Sequence, residues 1–447
     1  MPSTPTRRPF LSASADFASG RDTPRAYLER CVASIEEWEP RIGAFVTLAL
    51  DSARAQADRS TERWRAKQQL SRIDGMPLGI KDIIETVDMP TEQGSPLFKG
   101  WRSGRDAATV AAAREAGAVI IGKTVTTEFA STEPRGTRNP WDLERTPGGS
   151  SSGSAASVAV GMVPAALGTQ VIGSILRPAA YCGVFGFKPS VGGLNRGGSH
   201  DGLSQSVDGL LAATLEDAWV VAREISARAG GDPGYPGLGG PMAPPAAAKP
   251  RRLAMLETAG WAVAQPGARE CLEGAVGRIR NAGIEIVTRA SSEAVAELEV
   301  ALAEANPLSR RINNWEGRWP LNVYRERDRA GLSKASLERL AVAESMTLEE
   351  YQGLIAERAR IRGVYARLAG SVDGCVTLTA PAPAPKGLGS TGDPIFVVVG
   401  SLLGVPTLSL PVFRLDGLPL GLQVLGFEQQ DAAIFGAASW LYELLAR

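Results

Sequence analysis

Pro147-Gly-Gly-Ser-Ser-Ser-Gly-Ser-Ala-Ala156 is the most informative stretch of this chain. Glycine and serine at this density permit unusual backbone angles and offer hydroxyls and bare amides, which suits a loop that holds an anion or a reacting carbonyl. A phosphate-binding loop of the P-loop kind needs a lysine directly after its second glycine, and here Gly153 is followed by Ser154. A flexible linker fits poorly as well, because the run leads into the apolar, alanine-rich segment Ser154 to Leu167. That segment reads as a small-residue helix able to pack closely against a sheet.

Two more clusters flank it. Downstream lies Gly168-Thr-Gln-Val-Ile-Gly-Ser-Ile-Leu-Arg-Pro-Ala-Ala-Tyr-Cys-Gly-Val-Phe-Gly-Phe-Lys-Pro-Ser190, and upstream Gly75-Met-Pro-Leu-Gly-Ile-Lys-Asp82, where Lys81 closes a strand-like apolar run. The chain has one histidine, His200, so a multi-histidine metal site is excluded and a Ser-His-Asp mechanism has a single candidate base. A serine nucleophile without histidine needs another base, and a buried lysine whose pKa is lowered by desolvation can serve. A solvated surface charge is the plainer reading of a lone lysine.

Composition bounds the rest. The 447 residues are 44% hydrophobic and 21% charged, with 48 basic residues balanced by 48 acidic ones. This is the make-up of a globular protein with a large core. A net charge of +0 gives no overall attraction to phosphate, so neither a nucleic acid nor an anionic membrane is expected as partner. The four cysteines, Cys31, Cys182, Cys271 and Cys375, lie far apart, with no zinc-knot or disulfide spacing; a reducing cytoplasm is the expected location. Arg7 and Arg8 are followed by no apolar leader segment, and no run of about 18 apolar residues occurs.

Along the chain, Asp22 to Glu39 and Leu48 to Gln69 carry apolar residues at helical spacing among charged ones, which predicts N-terminal surface helices over 22–69. From Gly75 the texture becomes α/β: strand-like Pro77 to Ile84 and Gly117 to Ile121 bracket a helical Ala107 to Ala116. Gly230 to Pro250 reads as a long surface loop. Residues 291–368 have helical patterning with strong charge and are expected to form an insertion or cap. After it Cys375 to Thr379, Ile395 to Val399, Thr407 to Leu410 and Leu420 to Leu425 read as strands and Ala432 to Leu445 as a closing helix.

Taken together, the three clusters resemble the amidase signature family, in the family's order and spacing, and are closest in motif to malonamidase-like members. Gly122-Lys-Thr, Glu128-Phe-Ala, Asn139-Pro-Trp-Asp142 and Gly417-Leu-Pro-Leu-Gly-Leu-Gln423 look like its flanking blocks. The resemblance implies one amidase domain over 1–447: a single α/β/α sandwich with a mixed central sheet and a helical insertion. It implies hydrolysis of a small C–N amide without metal or organic cofactor, through an acyl-serine. Ser174 matches the nucleophile, Ser150 the bridging serine that follows a cis peptide, and Lys81 the base. Backbone N–H groups from Val171, Ile172, Gly173 and Ser174 would form the oxyanion hole. The implied partner is a small-molecule amide, with a second copy of the chain left open. An amidotransferase component that works with aminoacyl-tRNA is the alternative within the family.

The chain departs from the family where Gly-Gly-Ser becomes Ile172-Gly173-Ser174. A β-branched residue is costly if that position needs φ > 0, so a catalytically impaired binding protein is a further alternative. Gln170 stands where many members have Asp. Arg177, three residues after Ser174, offers a planar fork suited to a substrate carboxylate. It equally suits an ion pair with Asp208 or Glu128, or a clamp on neighbouring carbonyls. His200 reads as a loop residue, Cys182 as a packed thiol and Lys188 as structural. Asn314, Trp315, Trp319 and Tyr324 of the cap are candidates to line the pocket or to hold the cap down by aromatic contact.

Overall fold

A computed structural model describes residues 4–446. Its strands are β1 (Phe45–Leu48), β2 (Pro77–Lys81), β3 (Val119–Thr124), β4 (Ala165–Gln170), β5 (Phe185–Lys188), β6 (Val207–Ala212), β7 (Arg252–Met255), β8 (Glu285–Val287), β9 (Cys375–Leu378), β10 (Thr407–Leu415) and β11 (Leu418–Leu425). They form one 11-stranded sheet in the order β1-β3-β2-β4-β6-β5-β10-β11-β9-β7-β8. The sheet is mixed. β2 runs parallel to β3 and β4, and β7 to β8 and β9, whereas the ladders from β4 through β6, β5, β10 and β11 to β9 are antiparallel.

The layering follows from period-two alternation along the strands. In β3, Ile120 joins one apolar core while Val119 and Ile121 join another; in β6, Leu210 and Ala212 face the first and Leu211 the second. Buried on both sides, these strands must be covered by helices on each face. α1 (Leu11–Ser19) precedes α2 (Pro24–Ile42) and α3 (Leu50–Arg65), and these last two pack against the second core; α4 (Ala108–Glu115) lies against the first. α5 (Ser152–Ala159) and α6 (Leu176–Cys182) belong to the second core, α7 (Leu215–Ala229) and α8 (Pro266–Asn281) to the first.

Between β8 and β9 stand five helices, α9 (Glu293–Leu302), α10 (Ala305–Glu316), α11 (Arg318–Arg327), α12 (Lys334–Ser345) and α13 (Leu348–Ala366). Leu298, Ile312 and Ile361 from these helices share a third apolar core with α14 (Val398–Leu403), and α15 (Asp431–Leu445) closes the chain on the first core.

Three sequence expectations are corrected. The helix expected over Ser154 to Leu167 ends at Ala159, because Gly161 turns the chain at φ 71° and Pro164 follows, and Ala165–Gln170 is then the strand β4. Ile395 to Val399, expected as a strand, leads into helix α14, which stops at Gly404 in the left-handed region. Both segments are buried nearly throughout, so neither shows the polar face that reveals a period. Leu48 ends the short edge strand β1 instead of opening a helix.

Candidate functional site

The site lies where β2 and β4 end. Lys81 is the last residue of β2, and burial, with no ion-pair partner among the described residues, pushes its ammonium down to about 7, against the opposing pull of Asp201 and Asp208. Its Nζ lies 2.7 Å from Ser150 Oγ and 2.7 Å from Thr169 Oγ1 on the neighbouring strand β4. Thr169 in turn donates to Asp201 Oδ2 at 2.7 Å, and Ser206 donates to Asp201 Oδ1 at 2.5 Å. A carboxylate only accepts, so it turns the threonine proton away from Lys81, and Thr169 Oγ1 accepts an N–H from the lysine. The lone pair of a neutral Lys81 is thereby left for Ser150.

Ser150 follows a cis peptide bond after Gly149 and is fully buried, with its carbonyl accepting from Thr127 N–H. Ser174 sits in the turn between β4 and α6. Its carbonyl accepts from Ser151 N–H at 3.2 Å, its side chain makes no hydrogen bond among the described residues, and it opens on a cavity of about 520 Å³. The structure thus brings Lys81 and Ser150 into hydrogen-bond contact and sets Ser174 on the cavity wall beside them. The amides of Val171, Ile172, Gly173 and Ser174 are taken by no other group among the described residues. At Gly173 a Cβ would meet Val397 at 2.4 Å, so only glycine fits there.

The two departures of this turn have a structural account. Ile172 is not in the left-handed region, so its β-branch carries no backbone penalty; its side chain packs against the third core. Gln170 does the work of a cap. Its Oε1 accepts from Ile175 and Leu176 N–H at the start of α6, while its Nε2 donates to Ser401, whose hydroxyl donates to the carbonyl of Ile172. A neutral side chain able to give and take hydrogen bonds therefore ties the turn to α14.

Among the described residues Arg177 forms no ion pair, so pairing with Asp208 or Glu128 is ruled out. One Nη donates to Gly149 O (2.7 Å) and Thr391 Oγ1 (2.8 Å), which clamps the loop before Ser150, and its Nε is buried without a partner. Burial lowers it to about 10, with Arg310 acting in the same direction. Glu128 anchors the cap instead: it accepts from Ser336 Oγ at 2.5 Å and from the N–H and hydroxyl of Ser333, the N-cap of α12.

Among the cap residues, Asn314 lines the cavity, Trp315 stacks on Tyr351, Tyr324 stacks on Phe129, and Trp319 is exposed. His200 contacts Glu85 at 3.0 Å and Trp101 edge-on, outside the cavity lining. Cys182 is buried, and Lys188 donates to Pro189 O. A separate cavity of about 510 Å³, lined by Arg7, Trp141, Phe185 and Arg414, contains neither serine. Among the described residues no cluster of three His, Cys, Asp or Glu is placed to hold a metal, and no helix is long and apolar enough to cross a membrane.

Asp201, Thr169 and Gln170 were not assigned roles from sequence. Thr169 and Gln170 sit inside the quoted cluster, but Asp201 lies 32 residues from Thr169 in a polar glycine-rich loop with no motif to flag it.

Known proteins share this fold over nearly the whole chain. The chain is 33% identical to the A subunit of glutamyl-tRNA(Gln) amidotransferase from Anaeromyxobacter sp. (strain K), covering 95% of this chain and 94% of the relative. A crystal structure of an amidase superposes with a TM-score of 0.85 at 28% identity, covering 98% of this chain and 100% of the other. The native peptide amidase from Stenotrophomonas maltophilia does so with 0.75 at 26%, covering 97% and 96%. The Amidase family model matches residues 26–435. With that match spanning the sheet, both serines, Lys81 and the cap, the chain belongs to the amidase (amidase signature) family of enzymes acting on C–N amide bonds.

Proposed function

We propose that this protein hydrolyses the C–N bond of a small amide through an acyl-enzyme on Ser174, with Ser150 as proton bridge and Lys81 as base. The observation that carries the reading is the buried Lys81 Nζ, held near neutrality and 2.7 Å from Ser150 Oγ. Neutral Lys81 takes the Ser150 proton as Ser150 takes that of Ser174, and Ser174 Oγ attacks the carbonyl carbon. The oxyanion is received by amides of the turn Val171, Ile172, Gly173 and Ser174, each well-placed donor contributing about 3–4 kcal/mol. The protons return by the same route to the leaving nitrogen, the C–N bond breaks, and water entering by the same proton relay releases the acid. In this reading the whole chain is one amidase domain, with the helices of 291–368 walling the substrate cavity.

Ammonia release from short primary amides tests it. Ser174→Ala and Lys81→Ala should each abolish turnover, and the double variant should be no worse than either single one, because the groups act as a unit. Full activity in either single variant overturns the mechanism. A second reading, a component of an amidotransferase, is favoured by the identity to the glutamyl-tRNA(Gln) amidotransferase proteins. Co-purification with partner proteins and glutamine-dependent transfer to an aminoacyl-tRNA would select it.

A further inference from the structure

The cavity on which Ser174 opens is also walled by α10 and α12 of the cap. Arg310 and Asn313 stand three residues apart on one face of α10, and Arg339 reaches the same space from α12. Asn313 is 3% exposed, yet neither its amide nitrogen nor its amide oxygen has a hydrogen-bond partner among the described residues. A buried amide with both ends unmet is costly and rare in a folded protein, and here it fronts a cavity.

The charges around it are unequal in their partners. Among the described residues Arg310, Arg339 and Arg177 form no ion pair: Arg310 holds only Asn306, Arg339 holds Ser131 and Asn314, and Arg177 holds a carbonyl and a hydroxyl. The acids of the same lining are engaged. Asp201 takes Thr169 and Ser206, Glu338 lies against Lys334, and Glu133 against Arg135. Arg310 is near enough to both of the other guanidiniums to repel them, and together with burial it holds Arg177 and Arg339 below the usual arginine range. A cavity lined by unpaired cations and an unmet amide is complementary to an anion with planar acceptor oxygens.

We propose that Arg310, Asn313 and Arg339 form a subsite for the carboxylate of a short carboxylate-bearing amide, whose carboxamide end reaches Ser174. The guanidiniums take the carboxylate oxygens, and Asn313 gives its N–H to one of them. Arg177, committed to Gly149 and Thr391, is left to hold the loop before Ser150. The inference rests on the hydrolase reading only for the position of the reacting carbonyl.

Binding separates the two ideas. In Ser174→Ala protein, titration calorimetry with malonamate, succinamate and glutaramate, each against propionamide, butyramide and pentanamide as the neutral amide of equal length, reads the subsite without turnover. At least one carboxylate amide should bind tenfold or more tightly than its neutral counterpart. That preference should fall at least tenfold when Arg310→Gln or Arg339→Gln is added, with the thermal melt confirming a folded protein. Equal affinity for the two members of every pair, no binding of the three carboxylate amides, or a preference that survives both substitutions overturns the proposal. Failure of the wild-type protein to release ammonia from amides that bind overturns the hydrolase reading and leaves the subsite standing.

Discussion

Asp201 decides which way the protons point in the site. By accepting from Thr169 it makes Thr169 Oγ1 an acceptor for Lys81, and its charge opposes the desolvation that lowers the lysine. In the proposed mechanism Lys81 is a base only when neutral, so kcat/KM should rise with pH through an acid limb near its value of about 7. Asp201→Asn keeps an acceptor for Thr169 and removes the charge, so the limb should move to lower pH while kcat falls several-fold. A pH–rate profile with an unmoved limb would remove Asp201 from the relay. The placement of Lys81 against Ser150 and of Ser174 on the cavity was legible because each sits in a contiguous motif. Asp201 and the cap anchor Glu128, whose partners Ser333 and Ser336 lie 205 and 208 residues away, depend on folding to meet their partners and leave no local pattern.

At the scale of elements, tight packing explains both the glycine content of the central motif and its effect on reading the sequence. Gly153 in the first turn of α5 lies so close to the chain leaving α2 and β3 that a Cβ would meet Ala44 O at 2.1 Å and Val125 N at 2.4 Å. Both are backbone atoms, which cannot swing aside. Gly153→Ala should therefore destabilise the fold by about 3 kcal/mol or more and displace Ser150 with the helix. Gly274 in the exposed face of α8 has nothing within 4 Å of the place a methyl group would take, and Gly274→Ala should stabilise by about 0.5–1 kcal/mol. Urea unfolding of the two variants checks the contrast; equal shifts would mean that contact at Gly153 is relieved by sliding of α5. The same closeness hid the boundary between α5 and β4, since alanine and glycine serve a buried helix and a buried strand alike. By contrast α2, α4 and α15, which each keep a wet face, were legible within a few residues of their ends.

Over the whole molecule, the sheet buries lysines away from the cavity as well as within it. Lys188 at the end of β5 is fully buried, donating to Pro189 O, and burial lowers it from 10.5 to about 7 in spite of Asp431. The sign of the stability effect follows from which state holds the proton. Between about pH 7 and 10.5 the unfolded chain keeps a proton on Lys188 that the folded chain has released, so raising the pH through this window stabilises the fold. Below the window both states are protonated and the burial cost is paid in full; above it both are neutral and the cost is gone. Lys188→Met loses the hydrogen bond to Pro189 at every pH, which is a constant offset, and loses the titration, which is not. Relative to wild type, the variant should be best near pH 6–7 and lose ground by roughly 3 kcal/mol by pH 9.5, at about 1.4 kcal/mol for each pH unit crossed inside the window. Denaturant unfolding of both proteins at those two pH values reads the difference directly. A gap that does not change with pH would mean that Lys188 keeps its proton in the folded protein, and that Asp431 compensates the charge where it lies.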